Sequence, residues 1–415
     1  MRWLLTTWGS RGDLHPFLAL GQGLLRRGHQ VTLAGCAPWR EEVEGCGLRF
    51  ASVGESGLED LLRKHPQILN NDFAASKFMH QYVIEPSLAP MCDALLREAP
   101  GHDVMVAIHF VHPASTVAEL SGIPFATVTL APGLVPMASR PLAGQDRRGP
   151  RGPFDRFFNR FLWTSIRIGM GWILGPSLNR LRHSHGLKPM RDVLNDRLSR
   201  RLNLQLYSEH FAPRPVDLTP EKKYGGFCFY DPPKTPELAP QIENFLAEGE
   251  PPILFTLGTA AMQSPGQFYE AAVSALEKLG MRGILLLGRS ENRPAHVPHS
   301  VLALDYAPFT LLMPRVRAVV HQCGIGTLSH VLRAGRPSLA CPYAFDQPNN
   351  ARRLEELGVA EYLDWRERTA EHLSSALERL LKGDAPAKAR QLGELLRQEN
   401  GVERSCDELE NSFRP

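Results

Sequence analysis

The sequence predicts an α/β protein of two doubly wound, parallel-sheet domains facing a cleft. Three observations carry this. Short apolar runs alternate with amphipathic stretches along both halves of the chain, which is how βαβ units read in sequence. Near the middle, seven prolines (213, 215, 220, 232, 233, 236 and 240) interrupt the alternation, and it restarts after them. The length of 415 residues suits two or three domains at about 150 residues each. With 43% hydrophobic and 22% charged residues the composition is that of a folded globule, and 35 Gly with 34 Pro imply many turns and glycine-rich loops. Each half therefore reads as Rossmann-like.

Taken in order, residues 3–8 form a first strand and a glycine turn follows. Residues 16–27 have helical spacing, with arginines at the C-terminal end where the helix dipole favours them. Residues 30–34 are a second strand. Strands at 104–108 and 125–129 flank a helix over 113–120, and 203–208 closes the first half. The second half opens with a strand at 253–257 and a helix over 266–279. Further strands are read at 283–287, 317–321 and 338–341, with helices over 328–334 and 349–357. The resulting boundaries are a first domain at 1–211 with a basic insertion at 136–185, a linker at 212–251, a second domain at 252–385 and a terminal helix at 386–415.

The net charge of +3 is too small to suggest nucleic-acid binding. It is unevenly spread: residues 140–182 hold nine Arg against two Asp, so the remainder of the chain is weakly acidic. Seven scattered Cys without a CxxC pair argue against a disulfide framework or a structural zinc and for a reducing compartment. No apolar run is long enough to span a membrane, so the chain reads as a cytoplasmic enzyme.

In doubly wound folds ligands bind at the carboxyl ends of strands. Three loops at such positions carry chemistry. Gly9-Ser10-Arg11-Gly12-Asp13-Leu14-His15 follows the first strand. Its spacing is not that of a dinucleotide site, and Asp13 is either a general base or a helix N-cap. His321-Gln322-Cys323-Gly324-Ile325-Gly326-Thr327 precedes a helix, where glycine amides and a hydroxyl suit a phosphate or simply make a strand-to-helix turn. Asp346-Gln347 offers acceptors and donors for sugar hydroxyls, and Asp346 is equally suited to cap the next helix. Leu257-Gly258-Thr259 is a further strand-end turn with a hydroxyl.

Together these loops resemble the inverting nucleotide-sugar glycosyltransferases of the plant-secondary-product, antibiotic and sterol type. The pattern H-x-G-G-x-G-T, G-x-P, P-x-x-x-D-Q-x-x-N-A is met by Gly324-Ile325-Gly326-Thr327, Gly335-Arg336-Pro337, Pro342, Asp346-Gln347 and Asn350-Ala351. The N-terminal GSRGDLHPFLALG is similar to the G-[ST]-x-G-D-x-x-P-F of the bacterial and sterol branch. Both motifs stand in order and the resemblance covers essentially the whole chain.

The resemblance implies a GT-B fold, with acceptor in the first domain and a dTDP- or UDP-sugar as co-substrate in the second, and no cofactor or metal. It implies that Asp13 is the base and that Ser10, Arg11, His15 and His109 belong to the acceptor loops. The diphosphate and nucleotide fall to Thr259, Tyr306, Ala307, His321, Gln322, Gly324, Gly326 and Thr327, and the sugar hydroxyls to Asp346 and Gln347. One departure stands out. The family's diphosphate-contacting His falls on Gln322, with His321 one residue earlier, and Cys323 replaces the first glycine.

Within the family, the 253–258 strand, the 268–284 helix and Tyr306-Ala307-Pro308 are similar to the bacterial rhamnosyltransferases that form rhamnolipids. This implies dTDP-L-rhamnose and a hydroxy-fatty-acid acceptor. The segment 154–174 sets Arg156, Arg160 and Arg167 on one helical face among aromatics, as in a lipid-surface helix, an apolar acceptor wall or a core helix with snorkelling Arg. Peripheral contact with an anionic membrane is assigned to 151–182. The alternatives are a glucosyltransferase for a sterol, carotenoid or polyketide aglycone, and a non-catalytic partner protein of the same fold.

Overall fold

The computed structural model describes residues 1–55, 64, 72–134, 153–215, 218–230, 232, 237–258 and 261–414. The chain divides into two compact units. Unit 1 comprises residues 1–61, 71–233 and 400–415, and unit 2 comprises 62–70 and 234–399.

Unit 1 is a seven-stranded sheet in the order β3-β2-β1-β4-β5-β6-β7, every pairing parallel. Its strands are β1 (Arg2–Thr6), β2 (Gln30–Gly35), β3 (Arg49–Ser52), β4 (Val104–Ile108), β5 (Phe125–Thr129), β6 (Asn203–Gln205) and β7 (Lys222–Tyr224). Central strands of a parallel sheet are covered on both faces, so they are continuously apolar. Trp3, Leu4 and Leu5 of β1 and all of Val104–Ile108 are buried accordingly.

Unit 2 repeats the plan with six parallel strands in the order β10-β9-β8-β11-β12-β13. They are β8 (Ile253–Thr256), β9 (Gly283–Leu286), β10 (Val301–Leu304), β11 (Ala318–His321), β12 (Ser338–Ala340) and β13 (Ala360–Tyr362). Alternate residues feed two cores. Ile253, Phe255 and Val320 pack with Phe268, Leu276 and Leu377 on one face, while Leu254, Ile284 and Val319 meet Ile242, Leu312 and Val331 on the other. Helices thus cover both faces of the sheet. The strand order reverses between β1 and β4 in unit 1 and between β8 and β11 in unit 2, and these are the two topological switch points.

The segment 212–251 is more than a linker: it contains β7, which completes the first sheet, and the Pro240–Ala247 helix, whose Ile242 enters the core of unit 2. The region after 386 is two helices, Ala385–Gln398 and Gly401–Phe413, and the last belongs to unit 1. Arg27 anchors it through Glu403 (2.6 Å), Asp407 (2.7 Å) and Glu410 (3.0 Å). All seven cysteines are buried free thiols. Among the described residues, no helix is long and apolar enough to cross a membrane.

Candidate active site

The first helix runs Arg11–Arg26, five residues longer at its start than the proline at position 16 suggests. Its N-cap is Ser10, and Asp13 stands at the third helical position. Asp13 is therefore not the N-cap. Its Oδ2 accepts from the Ser10 N–H (2.8 Å) and the Ser10 Oγ–H (2.9 Å), the reciprocal half of a capping box. Gly9 has φ +127°, and a Cβ there would fall 2.7 Å from Asp13 Oδ2, so only glycine lets the carboxylate fold back. Both bonds land on one oxygen, and among the described residues none reaches Oδ1. Burial raises the Asp13 pKa above its ordinary 3.8, while the two Ser10 bonds pull the other way. Asp13 thus bonds the helix start through Oδ2 and keeps Oδ1 open, with its pKa raised.

Of the other acceptor-loop residues, His15 bonds Glu42 (3.2 Å) and lies beside the Tyr230 ring at 5.2 Å. Arg11 approaches the same Glu42 at 3.9 Å. Glu42, which sequence reasoning did not single out, thus holds both. His109 directly follows β4 and is buried, with Nδ1 facing the Val128 carbonyl at 3.4 Å.

In unit 2 the loop after β11 opens the Ile325–Arg333 helix, whose N-cap is Gly324. The helical ladder starts with Leu328 N–H on Gly324 O (3.0 Å), so the N–H groups of Ile325, Gly326 and Thr327 precede it. The first turn carries no acidic residue. Amides and the positive end of the dipole are left for an anion. Gln322 lies against this loop and the one after β8: a Cβ on Gly258 would meet its Nε2 at 2.0 Å and one on Gly324 at 3.0 Å. Its buried Oε1 has no partner among the described residues.

His321 sits differently. It is fully buried as the last residue of β11, with Nδ1 accepting from the Cys323 N–H (3.1 Å) and Nε2 on Ser338 Oγ (3.1 Å). Burial pushes its pKa down to about 3, so it is neutral and both nitrogens are spent. The ring supports the loop from behind, bonded to Cys323 and Ser338, while Gln322 lies against the glycine loop.

The Asp346 loop is tied to the glycine loop by Asn350. Asn350 Nδ2 donates to Cys323 O (3.0 Å) and to Asp346 Oδ2 (2.7 Å). Asp346 is the N-cap residue of the Gln347–Glu356 helix, but its side chain makes no cap bond. Gln347 spends its Oε1 on the N–H groups of Tyr343 (2.8 Å) and Ala344 (3.3 Å). Cys323 (φ 67°) and Phe345 (φ 62°) are the non-glycine residues with positive φ among the described residues, one on each of these joined loops. Such strain concentrates at functional sites. Tyr306, after β10, is 75% exposed and its ring is free to stack, whereas Ala307 is buried in the sheet's core. Thr259 lies outside the described residues.

Comparison with known proteins adds the family. The pattern described as "Glycosyltransferase family 28 N-terminal domain" matches residues 3–136, and "Erythromycin biosynthesis protein CIII-like, C-terminal domain" matches 283–411. The O-mycaminosyltylonolide 6-deoxyallosyltransferase of Streptomyces fradiae is 32% identical over 421 residues, covering 98% of this chain and 96% of its own. The chain belongs to the nucleotide-sugar glycosyltransferases of the antibiotic and sterol type. A sterol 3-beta-glucosyltransferase of Arabidopsis thaliana is 26% identical, over 98% of this chain and 67% of its own. The crystal structure of the kitacinnamycin glycosyltransferase superposes with a TM-score of 0.74 at 21% identity, covering 99% of this chain and 98% of that one. The fold is therefore GT-B, and the protein is a hexosyltransferase.

The transferase's basic insertion is partly outside the described residues, as are the side chains of Arg140, Arg147, Arg148, Arg151 and Arg156. What is described is one helix, Pro153–Ser184. Three of its arginines are ion-paired: Arg167 with Asp192 (3.3 Å), Arg180 with Glu85, and Arg182 with Glu119 (2.7 Å). Phe157, Phe161, Ile168 and Trp172 recur at i, i+4, i+11 and i+15 and are 50–80% exposed. Of these three only Arg182 is buried, while Arg167 and Arg180 keep exposed side chains, so the described helix presents an apolar stripe beside exposed arginines. Sequence reasoning also passed over the roles of Asn350 and Glu42. The signal for Asn350 was its i, i+4 spacing from Asp346 on one helix face.

Proposed function

We propose that the transferase moves a hexose from a nucleoside-diphosphate sugar to a hydroxyl of an apolar or lipidic acceptor, with inversion and without a metal. The observation that carries this reading is the uncapped helix start at Gly324–Thr327, joined through Asn350 to Asp346. The amides of that start and Gln322 meet the charge that grows on the departing diphosphate. Asp346 and Gln347 hold sugar hydroxyls, and Tyr306 stacks on the base. Asp13 Oδ1 takes the proton of the acceptor hydroxyl as its oxygen attacks the anomeric carbon and the bond to the diphosphate breaks.

For the donor we propose dTDP-L-rhamnose and for the acceptor a hydroxy-fatty acid. The likeness noted in the 253–258 strand and around Tyr306 supports the first, and the exposed apolar stripe of Phe157, Phe161, Ile168 and Trp172 supports the second. The same stripe supports peripheral contact with a membrane surface. Transfer of glucose to a sterol or polyketide aglycone is the second reading. It is favoured by the two relatives whose names specify a sterol and a tylonolide.

Incubation with dTDP-rhamnose and UDP-glucose, each offered a hydroxy-fatty-acid dimer and a sterol, decides between them by product mass. A deoxyhexose adduct of the fatty acid is expected. A glucosyl sterol as the sole product overturns the first reading, and the absence of any stabilisation by either nucleotide overturns both. Flotation with liposomes tests the membrane contact, which fails if Trp172→Asp floats as well as the parent.

A further inference from the structure

A second group of polar side chains in unit 1, which includes the acceptor-loop His109, takes no step in the transfer described above. It occupies the loop after β4 and residue 197. His109 and His112 are 7% and 5% exposed. Arg197 donates through Nη1 to the His109 carbonyl and to His112 Nδ1 (2.9 Å). An arginine only donates, so His112 Nδ1 is unprotonated and the ring's proton is on Nε2. That Nε2–H is sealed from solvent and meets no acceptor among the described residues, and Arg197 Nε is in the same position.

No carboxylate pairs with Arg197 among the described residues. Burial lowers its pKa only to about 10, so it stays cationic at neutral pH. Burial and the neighbouring Arg197 hold His112 well below its ordinary value, so the ring is neutral and cannot share the charge. The first turn of the Ala114–Ser121 helix adds two more buried hydroxyls without partners among the described residues, Ser115 and Thr116. A buried donor left unpaired is costly, and a partly buried cation such as Arg197 favours a nearby counter-ion. A cation and N–H donors in this arrangement suit an anion.

The surroundings define what carries it. His112 also packs beside Trp8, Ile84, Leu88, Met91 and Phe110, an apolar wall. The register Thr6↔Ala107 sets this loop beside residues 8–10, next to the loop that bears Asp13. We infer that Arg197 and His112 form a seat for a carboxylate borne on the apolar acceptor, with His112 Nε2–H and Arg197 Nε as its donors. This rests on the transferase reading and deepens it, since it names a charged group that the acceptor carries and makes these two residues selective for it.

The test is calorimetric binding of 3-hydroxydecanoate and of its methyl ester to the full chain, with dTDP titrated separately as a readout of unit 2. The acid is expected to bind at least tenfold more tightly than the ester. Arg197→Gln and His112→Leu should each bring the acid down to the ester's affinity and leave ester and dTDP binding unchanged. His112→Asn, which keeps a donor, should restore part of the preference. Equal binding of acid and ester overturns the inference, as does an undiminished preference in Arg197→Gln. Should Arg197→Gln not fold, the Leu and Asn variants at 112 decide by the same comparison. Failure of dTDP to bind would instead count against the transferase reading, and transfer to neutral alcohols with no acid preference would count against the carboxylate seat alone.

Discussion

The helix starts behind β1 and behind β11 are the same construction with opposite electrostatics. In each a residue with positive φ (Gly9, Cys323) leads into an N-cap (Ser10, Gly324), and a glycine follows at the second helical position (Gly12, Gly326). They differ at the third position, which is Asp13 in one and Thr327 in the other. Unit 1 fills its own helix start with a carboxylate and so carries a negative, proton-accepting group. Unit 2 leaves its start without an acidic side chain, the arrangement the proposed diphosphate seat needs. One side chain in matching places separates a helix start that carries its own carboxylate from one that carries none.

Removing the charge at the first of these positions gives the largest expected effect. Asp13→Asn keeps an oxygen for the Ser10 N–H and loses the proton acceptor, so transfer should fall by about 10²–10⁴-fold. Stability should not fall with it. Because the folded pKa of Asp13 is raised, its contribution is favourable below the ordinary 3.8 and is lost as pH rises through the folded value. At neutral pH the ionised group is a cost that Asn removes, and thermal melting should show an equal or higher midpoint. The parent's rate should rise with pH along a limb displaced above 3.8, and that limb should be missing from the residual rate of the Asn variant. A drop in melting point matching the lost activity would reduce Asp13 to a helix cap.

The converse change sharpens the comparison. Thr327→Asp places at the second helix start what the first already has. The added carboxylate should favour the helix by about 0.3–1 kcal/mol and repel a diphosphate. Affinity for dTDP or UDP, read by calorimetry, should drop at least about tenfold while Thr327→Ser stays near the parent. Undiminished nucleotide binding in the Asp variant would mean that the open helix start is not the phosphate seat.

How far this was legible beforehand follows a physical line. Nine strands were read from sequence, and β3, β7, β10 and β13 were not; these four are the outermost strands of the two sheets. A central parallel strand is apolar throughout, whereas an edge strand such as Lys222–Tyr224 or Ala360–Tyr362 is short and half-polar and leaves little periodicity to detect. The loops at the switch points were visible because glycine and hydroxyl residues follow apolar runs. Sequence left His321 and Gln322 as alternatives because it shows that a histidine is near a loop and not which way it faces; in the fold the His321 ring bonds Cys323 N–H and Ser338 Oγ. The pairing of Arg197 with His112 spans 85 residues, and no local pattern announces a contact of that range.

Asn350 tests whether the two loops of unit 2 act as one. Asn350→Ala strips a buried donor from Cys323 O and from Asp346 Oδ2, at a cost of about 1–3 kcal/mol. The melting point should fall, and nucleotide and sugar recognition should weaken together. A loss of nucleotide-sugar affinity with unchanged affinity for the bare nucleoside diphosphate would show that the Asp346 loop moves independently of the glycine loop.

The smallest effect is expected at Cys323, where the family pattern has glycine and this chain does not. A side chain at φ 67° is strained, and relief by glycine is worth about 1 kcal/mol. Against this, the Cys323 side chain is fully buried, and losing it opens a small void that costs a similar amount. The two terms oppose each other, so Cys323→Gly should change the stability of unit 2 by less than about 1 kcal/mol in chemical denaturation. The larger consequence is in the loop: its amides are held in one conformation by a residue with few alternatives, and glycine restores those alternatives to the free protein. Nucleotide affinity should fall two- to threefold, about 0.5 kcal/mol, with the loss in the entropy of binding. A gain in affinity would show instead that the cysteine holds the loop away from the geometry its ligand needs.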